Sequence, residues 1–359
     1  MIKLPKISSG QLIILLIISR MFSMFTYKPT AYNISATTAA VAVLVSIFIN
    51  FMIFLPTLAI LKKYKGRNIS DCAYLSLGSA GKIYTFFVLV VCLFLSVECL
   101  TQFEVFMTST IYLTASPVFF VIPMVIASIY ICRLGIEAMA RMANFIFYGL
   151  IVTIIIIIVA TAPEINAVWA EGANHNDIGG FFELVRENVF GATEIIPFMI
   201  LASNTRHSHK KTIVWFCIIT GVLFEIISFL TFTVLGNYRE TVMYPFYTVA
   251  AMAEKALTER FNSAYVVLWV FMAVVKLCVY LLVAAKALRS FFTFKNDTLP
   301  LFITAAAVLI ASMLTSRKLS IVNDMYYFLM SGIPVILLAI IFPSAILIAN
   351  KIKERRKNE

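Results

Sequence analysis

Charge is the scarcest thing in this chain. Lys, Arg, Asp and Glu together make up 13% of its 359 residues, about half of the roughly 25% usual in a soluble domain. Acid is scarcer than base, 18 residues against 29, and there are three histidines. No H-E-x-x-H, G-x-S-x-G or phosphate-binding G-x-x-x-x-G-K-[ST] occurs, which removes the commonest hydrolase and nucleotide sites. His175, His207 and His209 fall in expected loops, and the H-S-H pair has no third ligand beside it. The six cysteines (Cys72, Cys92, Cys99, Cys132, Cys217 and Cys278) contain no C-x-x-C. Five fall in or beside apolar runs, where a thiol packs as a small hydrophobe, so neither a disulfide framework nor a metal site is indicated. No cofactor is implied, and an enzyme is the least supported class. Low-complexity linkers, tandem repeats and polar segments long enough to fold alone are also missing, so residues 1–359 read as one membrane domain.

What remains is oil. The chain is 61% hydrophobic with a mean hydropathy of +0.95, and a run such as "LIVTIIIIIVATA" (Leu150 to Ala162) has no place on a soluble surface. Helices satisfy their own backbone groups in lipid, so the expected fold class is an all-α polytopic membrane protein. About ten spans are expected, near 11–31, 36–61, 83–108, 116–133, 141–162, 188–204, 212–236, 263–285, 298–314 and 325–350. The first is read as a retained span, because its apolar part runs to about Tyr27 with no small-residue cleavage site.

The net charge of +11 reflects basic loops on the cytoplasmic side rather than a nucleic-acid surface. With an even number of spans both termini share one side. That side carries 20 of the 29 Lys and Arg, the other carries 7, and Arg20 and Lys276 lie within spans. The bias predicts that both termini face the cytoplasm. The loop from Pro163 to Asn188 reads as extracytoplasmic, with an interfacial helix around Phe181 to Val185. Tyr244 to Phe261 has a helical period, with Phe246, Val249, Ala253 and Leu257 on one side, and reads as a helix along the interface.

Ionisable groups inside the membrane are the best functional pointers. They are Arg20, Glu98, Glu104, Glu194, Glu225 and Lys276, and Gln102 lies one turn from Glu98. Two readings of Arg20 are open: an anchor for a ligand carboxylate, or a partner of Glu98 or Glu194 that locks helix packing. Glu104 lies near the end of its span, within reach of the interface. Glu225 either lies half a turn from water or pairs with Lys276. Glu194 is bracketed by Gly191 and Pro197, which predicts a broken or kinked helix. A broken helix at membrane depth lines a cavity or is buried in protein, and such breaks hold small charged solutes in secondary transporters. The candidate substrate-binding residues are therefore Ser19, Arg20, Ser23, Glu98, Gln102, Gly191, Thr193, Glu194 and Lys276.

Four stretches together carry a family likeness. "ISSGQLIILLIISRMFSMFTYKP" (Ile7 to Pro29) resembles the I-S-x-x-Q opening of the endospore-germination permeases. "SPVFFVIPMVIASIYICRLGIEAMARMANFIFYGLI" (Ser116 to Ile151) resembles that family's Y-x-x-R-x-G-x-E-x-x-x-R segment through Tyr130, Arg133, Gly135, Glu137 and Arg141. "GFFELVRENVFGATEIIPF" and "YPFYTVAAMAEKALTERFNSAYVVLWVF" agree in character through Glu194, Pro197, Tyr244, Pro245, Phe261 and Trp269. The family comprises the polytopic B subunits of nutrient germinant receptors, within the amino acid–polyamine–organocation transporter superfamily.

The resemblance implies a LeuT-type bundle of two inverted five-helix repeats, with spans one and six discontinuous. A small nutrient, often an amino acid, would bind between spans one, three, six and eight. It also implies the inner membrane of the spore, and two partners: a larger membrane-anchored subunit and a lipoprotein subunit. One departure stands out. Relatives tend to have Gly where span one unwinds, and here Met21 and Phe22 follow Arg20; Asn262 likewise stands where an acid is common. The expected function is a nutrient-sensing, transporter-like germination subunit, with a proton- or cation-coupled amino acid permease as the rival.

Overall fold

The structure is a computed structural model. It describes residues 7–26, 34–64, 66–166, 168–169, 178–205, 209–256, 261–292, 294, 296, 298–316 and 318–358. Tyr27, Pro29, His175, His207 and Leu257, named above, lie outside these, as do the side chains of Phe261 and Asn262.

Among the described residues the chain is helical with no strand; Ile7 and Thr205 form an isolated parallel bridge. The helices are α1 (Ser9–Phe25), α2 (Ala36–Lys63), α3 (Ile69–Leu77), α4 (Gly81–Phe106), α5 (Val118–Leu134), α6 (Ile136–Thr161), α7 (Ile178–Phe190) and α8 (Ile195–Leu201). There follow α9 (His209–Leu235), α10 (Pro245–Ala256), α11 (Phe261–Phe291), α12 (Leu299–Thr315), α13 (Leu319–Met330) and α14 (Phe342–Asn358). A π-helical stretch, Ile336–Ile341, leads from the short helix Ile333–Val335 into α14.

Among the described residues six stretches are long and apolar enough to cross a membrane: Ala36–Lys63, Ile69–Ile111, Ile136–Glu164, His209–Glu240, Ser263–Phe291 and Ile333–Arg355. Three more apolar helices, α1, α5 and α12, have 17 residues each, about 25 Å at 1.5 Å per residue, a little under the ~30 Å hydrocarbon core.

Local chemistry explains the two best-defined sequence motifs. In I-S-x-x-Q the serine and glutamine form a capping box. The Gln11 amide donates to Ser8 Oγ at 3.1 Å and the Ser8 amide to Gln11 Oε1 at 2.9 Å, so two otherwise orphaned donors at the start of α1 are satisfied. The Ile7 amide donates to the Asn204 carbonyl at 3.1 Å, which ties the entrance of α1 to the end of span six. In R-x-G-x-E, Gly135 makes the turn between α5 and α6 at φ 93°. Arg133 then falls in the last turn of α5 and Glu137 in the first turn of α6, each matching its helix dipole. Arg141 closes an i,i+4 pair with Glu137 at 2.5 Å.

Every residue of α1 from Leu15 to Phe22 is buried, as is every residue of α11 from Met272 to Leu281. A helix apolar all round belongs inside a bundle, and these two form the centre. Helix α1 packs on α6, α9 and α11, and α11 packs on α4. Leu44, Phe48, Phe119, Ile126, Phe145 and Val159 point outward from α2, α5 and α6, each more than half exposed. A patch of that size would associate in water, so it is the lipid-facing surface.

Three expectations need correction. Phe181 to Val185 do not form an isolated interfacial helix; they belong to α7, whose Leu184, Val185 and Val189 are buried and which packs on α2. Span six is accordingly longer than 188–204 and is built from α7 and α8. Helix α10 forms over the expected stretch, and its apolar side, with Phe246, Val249 and Ala253 at most 1% exposed, packs on α6, α9 and α11. The stretch 325–350 is two helices rather than one, broken at Gly332, and the final apolar run begins at Ile333. Span one is continuous through Arg20, Met21 and Phe22, not unwound, since no Gly there lowers the cost of opening the helix.

Gly332 sits at φ 78°, ψ −5°, a left-handed conformation that side chains with a Cβ resist. An added Cβ would also lie 2.6 Å from the Phe190 ring at the end of α7. Gly332→Ala is expected to destabilise the protein by about 1–3 kcal/mol through strain and overpacking. Thermal unfolding of detergent-purified protein checks this; an unchanged midpoint would contradict it.

Candidate ligand site at the break of span six

Span six breaks where its sequence weakens the helix. Helix α7 ends at Phe190, residues 191–194 turn, and α8 starts at Ile195. Pro197 falls in the first turn of α8, where its missing N–H would have had no helical partner anyway. The last carbonyls of α7 face inward and need donors. Arg20, on α1 and 6% exposed, supplies them: Nη1 donates to the Gly191 carbonyl, and Nη2 to the Asn188 carbonyl at 3.2 Å. A cation at the negative end of a helix is stabilised by its dipole as well as by the hydrogen bonds. Gly191 makes the approach possible, since a Cβ there would lie 2.7 Å from the Glu187 carbonyl oxygen and 3.0 Å from Arg20 Nη1.

The acids of the two sequence readings have other partners. Glu98, on α4, faces Lys276 of α11 at 4.0 Å. Lys276 also donates to Ser23 Oγ on α1 and lies over the rings of Phe22 and Tyr280, 5.6 and 5.7 Å from their centroids. Such contacts stabilise a desolvated ammonium. Glu194 is fully buried; its Oε1 accepts from Ser19 Oγ at 3.1 Å and from the Tyr280 hydroxyl at 3.4 Å. Thr193 Oγ1 and the Tyr280 hydroxyl are 2.7 Å apart. Gln102 Oε1 accepts from Thr26 Oγ1 at 3.0 Å.

Arg20, Ser23, Glu98, Gln102, Gly191, Thr193 and Lys276 line one cavity. Ser19 and Glu194 bond to each other and are not among the residues that line it. The space open to water is about 40 Å³, room for about three or four waters at ~10–15 Å³ each. Packed contacts lie along the helices to either side of it. Toward the C-terminal ends of α1 and α4, the rings of Phe22, Phe103 and Phe106 surround Trp269 at 4.9, 5.6 and 4.2 Å. At the opposite end, the Ile7–Asn204 hydrogen bond is joined by Lys286 Nζ donating to Asn204 Oδ1 at 3.2 Å.

Two other acids lie elsewhere. Glu104, in the last turn of α4, is 3% exposed, and Glu225 is half-buried on α9. Lys276 pairs with Glu98 rather than with Glu225. His209 begins α9 and faces the Phe198 ring; among the described residues no cluster of metal-ligating side chains occurs. All six cysteines are free and buried.

Sequence reasoning missed part of the wall. Glu187 and Asn188 come from the last turn of α7, and Tyr326, Leu329 and Met330 from α13. The first two were within reach, since a helix ending near Gly191 places them one turn earlier. Tyr326 carried no signal, because a tyrosine in an apolar run looks the same whether it faces lipid or a cavity.

The sequence matches a family model described as a spore germination protein over residues 6–320. No curated protein matches it. Among solved structures it is similar to Mhp1, a nucleobase-cation-symport-1 family transporter in a closed conformation with bromovinylhydantoin bound. The identity is 14%, with 95% of this chain and 80% of that one covered and a TM-score of 0.68. At that identity the likeness establishes the fold, a transporter bundle of the LeuT type.

Proposed function

Because the chain belongs to the spore germination protein family, we propose that it is the transporter-like membrane subunit of a nutrient germinant receptor. A small nutrient such as an amino acid would bind at the break of span six and trigger germination. The larger membrane-anchored subunit and the lipoprotein subunit would be its partners in the inner membrane of the spore, with both of its own termini cytoplasmic, in line with the basic-loop bias.

One observation carries this reading. Asn188 Nδ2, the Tyr326 hydroxyl and Glu98 Oε2 are buried without a hydrogen bond inside the protein, and all three residues line the same cavity. Each such group costs on the order of 1–3 kcal/mol when left unmade, so the cavity is built for a polar guest. Glu98 and Tyr326 can accept from an ammonium group; Asn188 and Lys276 can donate to a carboxylate. That pairing suits a zwitterion. The space open to water is only about 40 Å³, so a nutrient would have to push the walls apart, and binding and rearrangement would be coupled.

Tyr326→Phe removes one polar atom and keeps the ring. Spores carrying it are expected to need about tenfold more of the effective nutrient, the equivalent of one hydrogen bond of about 1.4 kcal/mol. The measurement is a germination dose–response over amino acids, nucleosides and sugars, with subunit abundance followed in parallel. An unchanged dose–response at normal abundance would remove Tyr326 from the site. The related transporter is named for cation symport, which favours the permease as a second reading. Steady solute flux through liposomes containing this chain alone would replace the receptor reading with that one.

A further inference from the structure

A helix broken inside a membrane exposes carbonyl oxygens, and in many transporters a dissolved monovalent cation is held by such oxygens and by neighbouring hydroxyls. Here those ligands are already in use. The Asn188 and Gly191 carbonyls at the end of α7 accept from the Arg20 guanidinium. The hydroxyl that α1 presents to α11, Ser23 Oγ, accepts from the Lys276 ammonium. Both cations are nearly inaccessible, at 6% and 2% exposure, and both line the same cavity. A third, mobile cation placed among these ligands would meet two fixed like charges in a poorly solvated space. Of the nearby acids, Glu98 faces Lys276 at 4.0 Å and Glu194 accepts from Ser19 and Tyr280 through Oε1, while the Oε2 atoms of both make no hydrogen bond inside the protein.

We propose that Arg20 and Lys276 are tethered replacements for dissolved cations, so that the broken span is held in place without any monovalent metal ion. Arg20 cements the end of α7 to α1, and Lys276 cements α1 to α4 and α11. A guanidinium suits the first position because its planar fork can meet two carbonyls at once, which an ammonium on one axis does not. The fold neighbour's coupling to a cation would then be absent here at the level of structure. This inference concerns what holds the break, and it stands or falls apart from the identity of the nutrient.

The test uses the purified full chain in detergent and no nutrient. Wild-type protein is expected to melt at one temperature in sodium, potassium, lithium and N-methylglucamine chlorides at equal ionic strength. A saturable rise of its midpoint with any of the three metal ions would overturn the proposal, and this arm needs no variant. Arg20→Ala is expected to melt about 5 °C or more lower. Added ethylguanidinium should raise that midpoint saturably, at concentrations that leave the wild type unchanged, and ethylammonium should do so less. Arg20→Lys should fall between the two. An alanine variant that melts like wild type, or one that sodium restores better than ethylguanidinium, would show that the carbonyls do not require the guanidinium.

Discussion

Spores carrying Gly191→Val are expected to lose their nutrient response altogether, and those carrying Gly191→Ala to lose at least tenfold in sensitivity. Gly191 does not have a positive φ, so the cost is one of space. A Cβ would stand 2.7 Å from the Glu187 carbonyl oxygen and 3.0 Å from Arg20 Nη1. The first contact is with backbone, which yields only by moving α7; overpacking of this kind costs about 1–3 kcal/mol. The second would push the guanidinium off the carbonyls it satisfies. Alanine also favours helix over glycine by about 1 kcal/mol, which biases span six toward an unbroken helix and closes the turn that forms the cavity wall. Valine adds two methyl groups to a wall that has no room for one. Germination dose–response together with immunoblotting for the subunit measures both effects. A valine variant present at normal abundance and responding normally would mean that the break plays no part in sensing.

Lys276→Met is the second large effect. Methionine nearly matches the volume of lysine, so packing is preserved while the charge is lost. Glu98 then keeps a buried carboxylate with no counter-cation at 4.0 Å, and Ser23 loses its donor. Removing one member of a buried ion pair typically costs about 3–5 kcal/mol. The double variant Lys276→Met with Glu98→Gln removes both charges and is expected to recover most of the lost abundance and melting temperature, because two neutral groups of similar shape carry little desolvation penalty. It is not expected to recover the nutrient response, since the groups that would meet a zwitterion are gone. Melting and abundance separate the two variants, and the dose–response separates structure from binding. If the single variant is as stable as the double, the pair contributes nothing; if the double variant senses normally, these charges do not read the ligand.

Other features were less legible than the residues on which these two predictions rest. Gly191 and Pro197 announce a break because each weakens a helix locally, wherever it lies. The I-S-x-x-Q opening could be read as a motif, and its physical content, a capping box, is equally local. Continuity of span one through Met21 and Phe22 follows from the same local reasoning, against what the family resemblance implied. The placement of Phe181 to Val185 in an interfacial helix failed for a different reason. The polar residues Glu183, Arg186 and Glu187 lower the local hydropathy, but Glu183 and Arg186 pair with each other on the exposed side while the apolar face packs on α2. Hydropathy averages over a helix and does not see its faces.

The sequence by itself determined the solvent, the helical class, the positions at which charge enters the membrane and the place where span six breaks. Each depends on residues within one or two turns of one another. Only the tertiary structure decided the partners. Arg20 meets a carbonyl 171 positions away, and Lys276 meets Ser23 across 253. Tyr326 reaches the cavity because α13 packs beside α4 and α7. Two cations and four acids on five spans admit many pairings of similar Coulomb energy. The packing of helix faces, which no local pattern encodes, selects one of them: Arg20 on the open end of a helix and Lys276 on Glu98.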